Sequence, residues 1–394
     1  MQKRLHSILG LIFTVLFAQG QTVESDPQTF KDMAAVTLDS IYVHYGVPDE
    51  SLLRETYPFD ASHKATYLAE ESQGDQRPNQ YSYLWPFSGS LSAQVARYEM
   101  ENAPDILEQI EQRVLPGLNA YYDKRVPHGY ASYIQSAPQS DRFYDDNVWL
   151  GIDFTDLYIQ SGNQKYLTKA QEIWEFVASG MDAKLGGGIY WYEQHKTSKN
   201  TCSNAPGVVF LVKLHQATNE TDYLTQAIAL YEWTKTHLRD PEDGLYWDNI
   251  KLDGQVDERK YPYNSGQMLQ AATLLYQVTG EDKYLEEAQE IAEAGHHFFF
   301  YPPGEHHSGD FRLLKNSDLW FIAVMLRGYV ELYNQDGNAA YLNTFRDNLQ
   351  YAWHNLRDTD GLFHKDWKNQ SRPAKKWLLD QCAMVEMYAR IAVL

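Results

Sequence analysis

A unit of roughly 55 to 60 residues recurs along this chain, and a repeat of that length limits the fold more than any local propensity does. Residues 157–162 lead into Tyr166-Leu167, 214–219 into Tyr223-Leu224, 275–280 into Tyr284-Leu285, and 332–337 into Tyr341-Leu342. The four tyrosines stand 57, 61 and 57 positions apart. Each unit reads as a helix, a Gly or Asn stop, and a second helix. The stop suits the left-handed residue that ends many helices. The second helix carries a spacing near 3.6, as in Leu167, Ala170, Trp174 and Val177, or Leu285, Ala288 and Ala292.

The surplus over a bare helical pair lies in loops, and these repeat too. Gly188-Ile189-Tyr190, Gly244-Leu245-Tyr246, Gly309-Asp310-Phe311 and Gly361-Leu362-Phe363, with Gly129-Tyr130, each predict a short hairpin before the next unit. Earlier helices are predicted at 30–45, 88–100 and 105–122, and the last at 376–393. The total of about twelve makes six helical hairpins. The expectation is an all-α (α/α)6 barrel, six inner helices ringed by six outer ones. Residues 46–80 form the longest irregular stretch and are expected to wrap the N-terminal side. No Pro/Gly/Ser linker or charge block divides residues 21–394, which read as one domain.

Residues 1–20 read as a signal peptide: Lys3 and Arg4, an apolar run from Ile8 to Phe17, and small residues before Gln21. The run is too short to span a membrane, and no cysteine near the cleavage site offers a lipid anchor. An exported monomer without a membrane anchor is expected, periplasmic or extracellular. Cys202 and Cys382 are too few for a disulfide scaffold; they pair only if the fold brings them together, which the sequence does not decide, and separate buried thiols are the favoured reading. The formal charge of −19 disfavours nucleic acid and anionic membranes as partners.

In an alternating barrel, every inter-unit loop falls at one end, where the inner helices begin. Asp145-Asp146, in Tyr144-Asp145-Asp146-Asn147-Val148-Trp149, opens one such helix. Ser203-Asn204, Asn264-Ser265 and Ser317-Asp318 open the next three, with Trp85, Trp191, Tyr192, Trp247 and Tyr263 in nearby loops. Polar groups interleaved with aromatic rings suit a carbohydrate cleft. Ser, Asn and Asp also serve as helix caps, and capping is the favoured reading of Ser317-Asp318. Adjacent carboxylates do not ionise independently, since the first charge raises the proton affinity of the second. One ionised and one protonated carboxyl is the state a glycosidase needs, although acidic residues also favour a helix start without any chemistry. Cα atoms 3.8 Å apart suit the roughly 5 to 5.5 Å carboxyl separation of a retaining enzyme better than the 6.5 to 9.5 Å of an inverting one.

At these residues the chain resembles glycoside hydrolase family 76, the endo-α-1,6-mannanases. The twin-aspartate segment is similar to that family's motif. Lys199-Asn200-Thr201-Cys202-Ser203-Asn204 resembles its Lys-Asn-x-x-Ser-Asn, Tyr263-Asn264-Ser265-Gly266 its Tyr-Asn-Gln-Gly, and Gly186-Gly187-Gly188-Ile189-Tyr190-Trp191 its glycine loop. The chain departs at Leu150, at Ser265, and at Leu319-Trp320-Phe321-Ile322, where the family has Phe-Lys-Gly-Ile-Phe. The resemblance implies Asp145 as nucleophile and Asp146 as acid/base, acting on α-mannan or manno-oligosaccharides without cofactor or metal. It makes Asn147, Asn204, Tyr263 and Asn264 candidates for sugar hydroxyls and Trp85 and Trp191 for stacking, with Tyr144 and Ser203 beside them in the same motifs.

Other readings stay open. Sugar 2-epimerases and unsaturated glucuronyl hydrolases share the architecture, but the first rely on histidines in the barrel and the second need a cationic pocket. A non-catalytic glycan-binding protein gains nothing from two crowded carboxylates. His296-His297 and His306-His307 with Glu305 and Asp310 match no strong metal motif and read as surface or rim histidines.

Overall fold

The computed structural model describes residues 27–67 and 78–392; the predicted signal peptide lies outside them. The helices are α1 (Pro27–Tyr45), α2 (Leu84–Glu101), α3 (Pro104–Gln109), α4 (Leu115–Asn119), α5 (Tyr144–Ser161), α6 (Gln164–Ala178) and α7 (Thr201–Thr218). They continue as α8 (Thr221–Leu238), α9 (Pro262–Thr279), α10 (Asp282–Phe298), α11 (Leu319–Asp336), α12 (Ala340–Asn355) and α13 (Leu378–Ala392). A wider helical turn, Ile110–Val114, joins α3 to α4. Pro116 has no N–H to return to the carbonyl four residues back, so α3 and α4 fill one outer position with a break in the ladder.

Helices α2, α5, α7, α9, α11 and α13 pack side by side in that order, and α13 returns to α2. This closed inner ring is jacketed by α1 against α13, α3–α4 against α2, α6 against α5, α8 against α7 and α10 against α9, with α12 touching α11 and α13. The architecture is therefore the expected (α/α)6 barrel. Burial follows from it. All of Thr201 to Val212 in α7 is buried, because the helix has neighbours on every side, whereas α6 buries only one stripe from Tyr166 to Val177. Gly266 lets α9 approach α11 closely: a Cβ there would stand 2.4 Å from the Met325 Cα.

The predicted stops hold. Gly162, Asn219, Gly280 and Gly337 end four of the six inner helices at φ of 67, 61, 69 and 68°. The N–H of each bonds the carbonyl four residues back. Four of the five loop motifs pair as expected: Ile189 with Met181, Tyr246 with Arg239, Phe363 with Arg357, and β3 (Gly129–Tyr130) with β2 (Tyr122–Asp123). The fifth does not. Between α10 and α11 the bridge joins Phe300 to Leu314, because the Asn348 side chain takes the Leu314 N–H at 2.9 Å and Phe311 instead packs on His307.

Three further corrections concern boundaries. Helix α2 starts before the predicted 88, since Pro86 in a first turn forfeits no hydrogen bond. Lys376-Trp377 is a strand, β7, paired antiparallel with β1 (Thr56–Tyr57), so the irregular N-terminal stretch ties the first unit to the last. The loops also hold an unanticipated three-stranded sheet of β4 (Ser198–Asn200), β5 (Trp247–Lys251) and β6 (Val256–Lys260).

Candidate active site

The first turns of the inner helices divide their labour by position. The second residue of five of them lines one cleft of about 850 Å³: Trp85, Asp145, Cys202, Tyr263 and Trp320. The fourth residue of four of them clamps the incoming loop. Asn147 accepts from the Tyr130 N–H (2.7 Å) and donates to the Tyr130 and Phe143 carbonyls (2.9 and 2.8 Å). Asn204 does the same for Ile189 and Asn200 (2.6, 2.9 and 2.7 Å), and Gln381 for Phe363 and Trp377. Ser265 accepts from the Tyr246 N–H at 3.0 Å. A buried loop strand needs such partners for its backbone groups, and one amide serves donor and acceptor together.

This geometry corrects part of the sequence reading. Asn147 and Asn204 are wholly buried, with their amides engaged by backbone, so they hold the wall rather than meet sugar hydroxyls. Tyr144 is buried against Phe176, and Ser203 is wholly buried and outside the cleft lining. Asn264 is buried as well, its amide nitrogen 3.5 Å from an Asp248 carboxyl oxygen. Ser317-Asp318 is no side-chain cap: Asp318 makes no capping bond, pairs with Lys365 and lines the cleft. Trp247 faces a second groove on the outside. Trp85, Trp191 and Tyr263 do line the cleft, as do Asp145 and Asp146.

The two aspartates sit in different surroundings. Asp145 Oδ2 accepts from the Trp191 indole N–H at 3.0 Å and the Cys202 thiol at 3.3 Å, and Oδ1 accepts from the Asp146 backbone N–H at 3.0 Å. Burial raises its pKa and these donors pull it back, leaving it at about 6. No side-chain donor among the described residues reaches the Asp146 carboxyl. Burial first, and the Asp145 charge second, push its pKa well above the usual range. Asp145 therefore ionises first and Asp146 keeps its proton.

The glycine loop sets up this asymmetry. Gly188 has φ of 81° and leaves no room for a Cβ, which would meet the Trp233 ring at 2.7 Å. Buried Lys199 ties Asp182, Lys184 and Gly187 together beneath it. The Trp191 N–H then bonds the Ser198 carbonyl, and its carbonyl accepts from the Tyr144 N–H, so the indole is held over Asp145 from both sides. Both cysteines are free and buried. The histidines are engaged locally: His296 with Thr344 at 3.1 Å, His307 with the Phe311 carbonyl at 2.9 Å.

Sequence reasoning missed several cleft residues. Asp248 on β5 lies in the cleft with its pKa raised by burial, and Tyr67, Trp149 and Phe321 also line it. The repeat held the signal for some of them. The expectation aligned Asp145-Asp146 with Ser203-Asn204 and Asn264-Ser265, whereas helix position aligns the pair with Cys202-Ser203, Tyr263-Asn264 and Trp320-Phe321.

An (α/α)6 barrel that holds unequal neighbouring carboxyls in a ring-lined mouth has the build of a glycoside hydrolase. Comparison with known proteins narrows the class: the model of Glycosyl hydrolase family 76 matches residues 59–390, and the chain belongs to that family. A solved family 76 glycoside hydrolase (mannosidase), Bt3792 of Bacteroides thetaiotaomicron, is 32% identical and superposes with a TM-score of 0.83 over 93% of this chain and 98% of its own. An alpha-1,6-mannanase of Salegentibacter is 25% identical, with a TM-score of 0.73 over 92% of this chain and 99% of that one. It was solved as an inactive variant, two consecutive aspartates replaced by asparagine, in complex with alpha-1,6-mannotriose. The mannan endo-1,6-alpha-mannosidase DCW1 of Candida glabrata is 28% identical over 146 residues, 34% of this chain and 32% of that protein. The match thus spans about a third of the length of that curated relative.

Proposed function

We propose that this chain is a retaining glycoside hydrolase that cleaves α-1,6-mannosidic linkages in α-mannan, with Asp145 as nucleophile and Asp146 as general acid and base. The observation that carries this reading is the inequality of the pair: three donors reach the Asp145 carboxyl, whereas no side-chain donor among the described residues reaches Asp146, whose pKa is pushed up by burial and by the Asp145 charge. The two consecutive aspartates replaced in the inactive, mannotriose-bound Salegentibacter enzyme support it, as does the activity named for the fungal relatives. In the first step the Asp145 carboxylate attacks the anomeric carbon, the C1–O bond breaks, and Asp146 gives its proton to the departing oxygen. In the second, water attacks the mannosyl ester, its proton passes to Asp146, and Asp145 leaves as carboxylate. Trp85, Trp191 and Tyr263 remain the proposed sugar contacts from the sequence. The protein is proposed to act as an exported monomer without a membrane anchor; no helix among the described residues is long and apolar enough to cross a membrane. Release of new reducing ends from linear α-1,6-mannan, at the same rate with and without chelator, is the expected result. No cleavage of any α-mannan contradicts the reading.

The donors to Asp145 give a pH prediction. Each favours the ionised form, so Cys202→Ala or Trp191→Phe raises the pKa from about 6. The nucleophile must be ionised, so the acid limb of the kcat/KM profile moves to higher pH by ~0.5 to 1 unit, the differential worth of one such bond. An acid limb that stays in place, or moves down, removes Asp145 from the group that titrates there.

A further inference from the structure

We propose that Phe321 is a specificity-determining residue, whose ring forms the platform that takes the C–H face of one mannosyl residue opposite the aspartate pair. The proposal rests on the α-mannanase reading above. In the inner ring α5 touches α2 and α7, while α11 touches α9 and α13, so the two helices face each other across the barrel. Trp149 of α5 and Trp320 of α11 meet edge to face across the axis, centroids 4.8 Å apart, and line the bottom of the cleft. Directly after Trp320 comes Phe321, third residue of its helix as Asp146 is of α5.

Its ring is fixed before any ligand arrives. Tyr263 lies parallel behind it, centroids 4.0 Å apart at 5°, Tyr261 meets it edge-on at 5.6 Å, and Trp85 flanks it at 6.1 Å and 23°. Trp320 is 1% exposed, as a core residue should be, but Phe321 is only half-buried and borders the cleft. An apolar surface left open beside carboxyls is stabilised when a ligand with its own apolar face covers it. A pyranose supplies one such face of C–H groups. A ring already held by its neighbours binds without the entropy cost of ordering it.

Steady-state kinetics of Phe321→Ala, Phe321→Leu and Phe321→Tyr on α-1,6-mannotetraose test the assignment. Ala and Leu are expected to raise KM about tenfold, equivalent to ~1.4 kcal/mol, and to leave kcat within about twofold; Tyr, which keeps the ring, restores KM. Leucine preserves the apolar volume, so a purely packing role predicts near wild-type KM for Phe321→Leu, and that result overturns the proposal. Loss of kcat with unchanged KM overturns it as well. Wild-type protein inactive on α-1,6-mannan removes the functional reading and this proposal together; active wild type with an insensitive KM removes this proposal alone.

Discussion

Asp145→Asn is expected to lower turnover of α-1,6-mannan by roughly 10⁴-fold or more while manno-oligosaccharide binding stays within a few-fold of wild type. The amide cannot form a glycosyl ester, yet it fills the same space beside Trp191 and Cys202. Asp146→Asn is expected to fail differently. With a leaving group that needs no protonation it still loads Asp145, then stalls because no base activates water. Azide attacks without deprotonation, so it restores turnover in Asp146→Ala and gives a mannosyl azide of retained configuration. In Asp145→Ala the same anion takes the place of the missing nucleophile and gives the inverted azide. The mirrored pattern of products exchanges the two roles. Near wild-type rates in both variants reduce the pair to a helix start.

The largest stability effect is expected beneath the cleft, in the barrel core, where Arg327 lies under the Trp149 ring. Glu386 of α13 takes two hydrogen bonds from Arg327 of α11, at 2.6 and 2.9 Å, and one from Arg390 at 2.7 Å. The Arg327 and Glu386 side chains are 2% and 1% exposed. Removing the carboxylate leaves buried guanidinium charge without its partner, so Glu386→Ala should cost ~3–5 kcal/mol. Burial acts to raise the Glu386 pKa, but the two guanidinium groups outweigh it and hold it down at about 2. A depressed carboxyl pKa stabilises the fold above the unfolded value near 4.5 and ceases to do so as pH falls toward 2. Urea unfolding should therefore show a wide gap between wild type and variant at pH 7 that narrows by pH 3. A gap below ~1 kcal/mol at pH 7 contradicts the account.

The architecture was legible because the repeat carries its own punctuation. Gly162, Asn219, Gly280 and Gly337 are stops whose backbone geometry few other residues adopt, so their spacing transmits directly into helix lengths. What the sequence concealed was direction. Asn147 and Asn204 look like binding residues beside a carboxyl pair, yet helix geometry turns the fourth residue of the first turn back toward the incoming loop, where an amide satisfies both backbone groups. Asp248 was hidden for a different reason: it enters the cleft from a strand of a sheet that pairs residues about fifty positions apart. Cys202 was read for its redox state, and nothing local in the chain announces that its thiol touches Asp145.

The central claim is double displacement at the aspartate pair, and the configuration of the first product tests it most directly. ¹H NMR of wild-type protein acting on α-1,6-mannan should show the new reducing end appearing first as the α-anomer, with the β-anomer growing in only by mutarotation. A β-anomer that forms first contradicts the claim, because it requires a single displacement with no ester on Asp145.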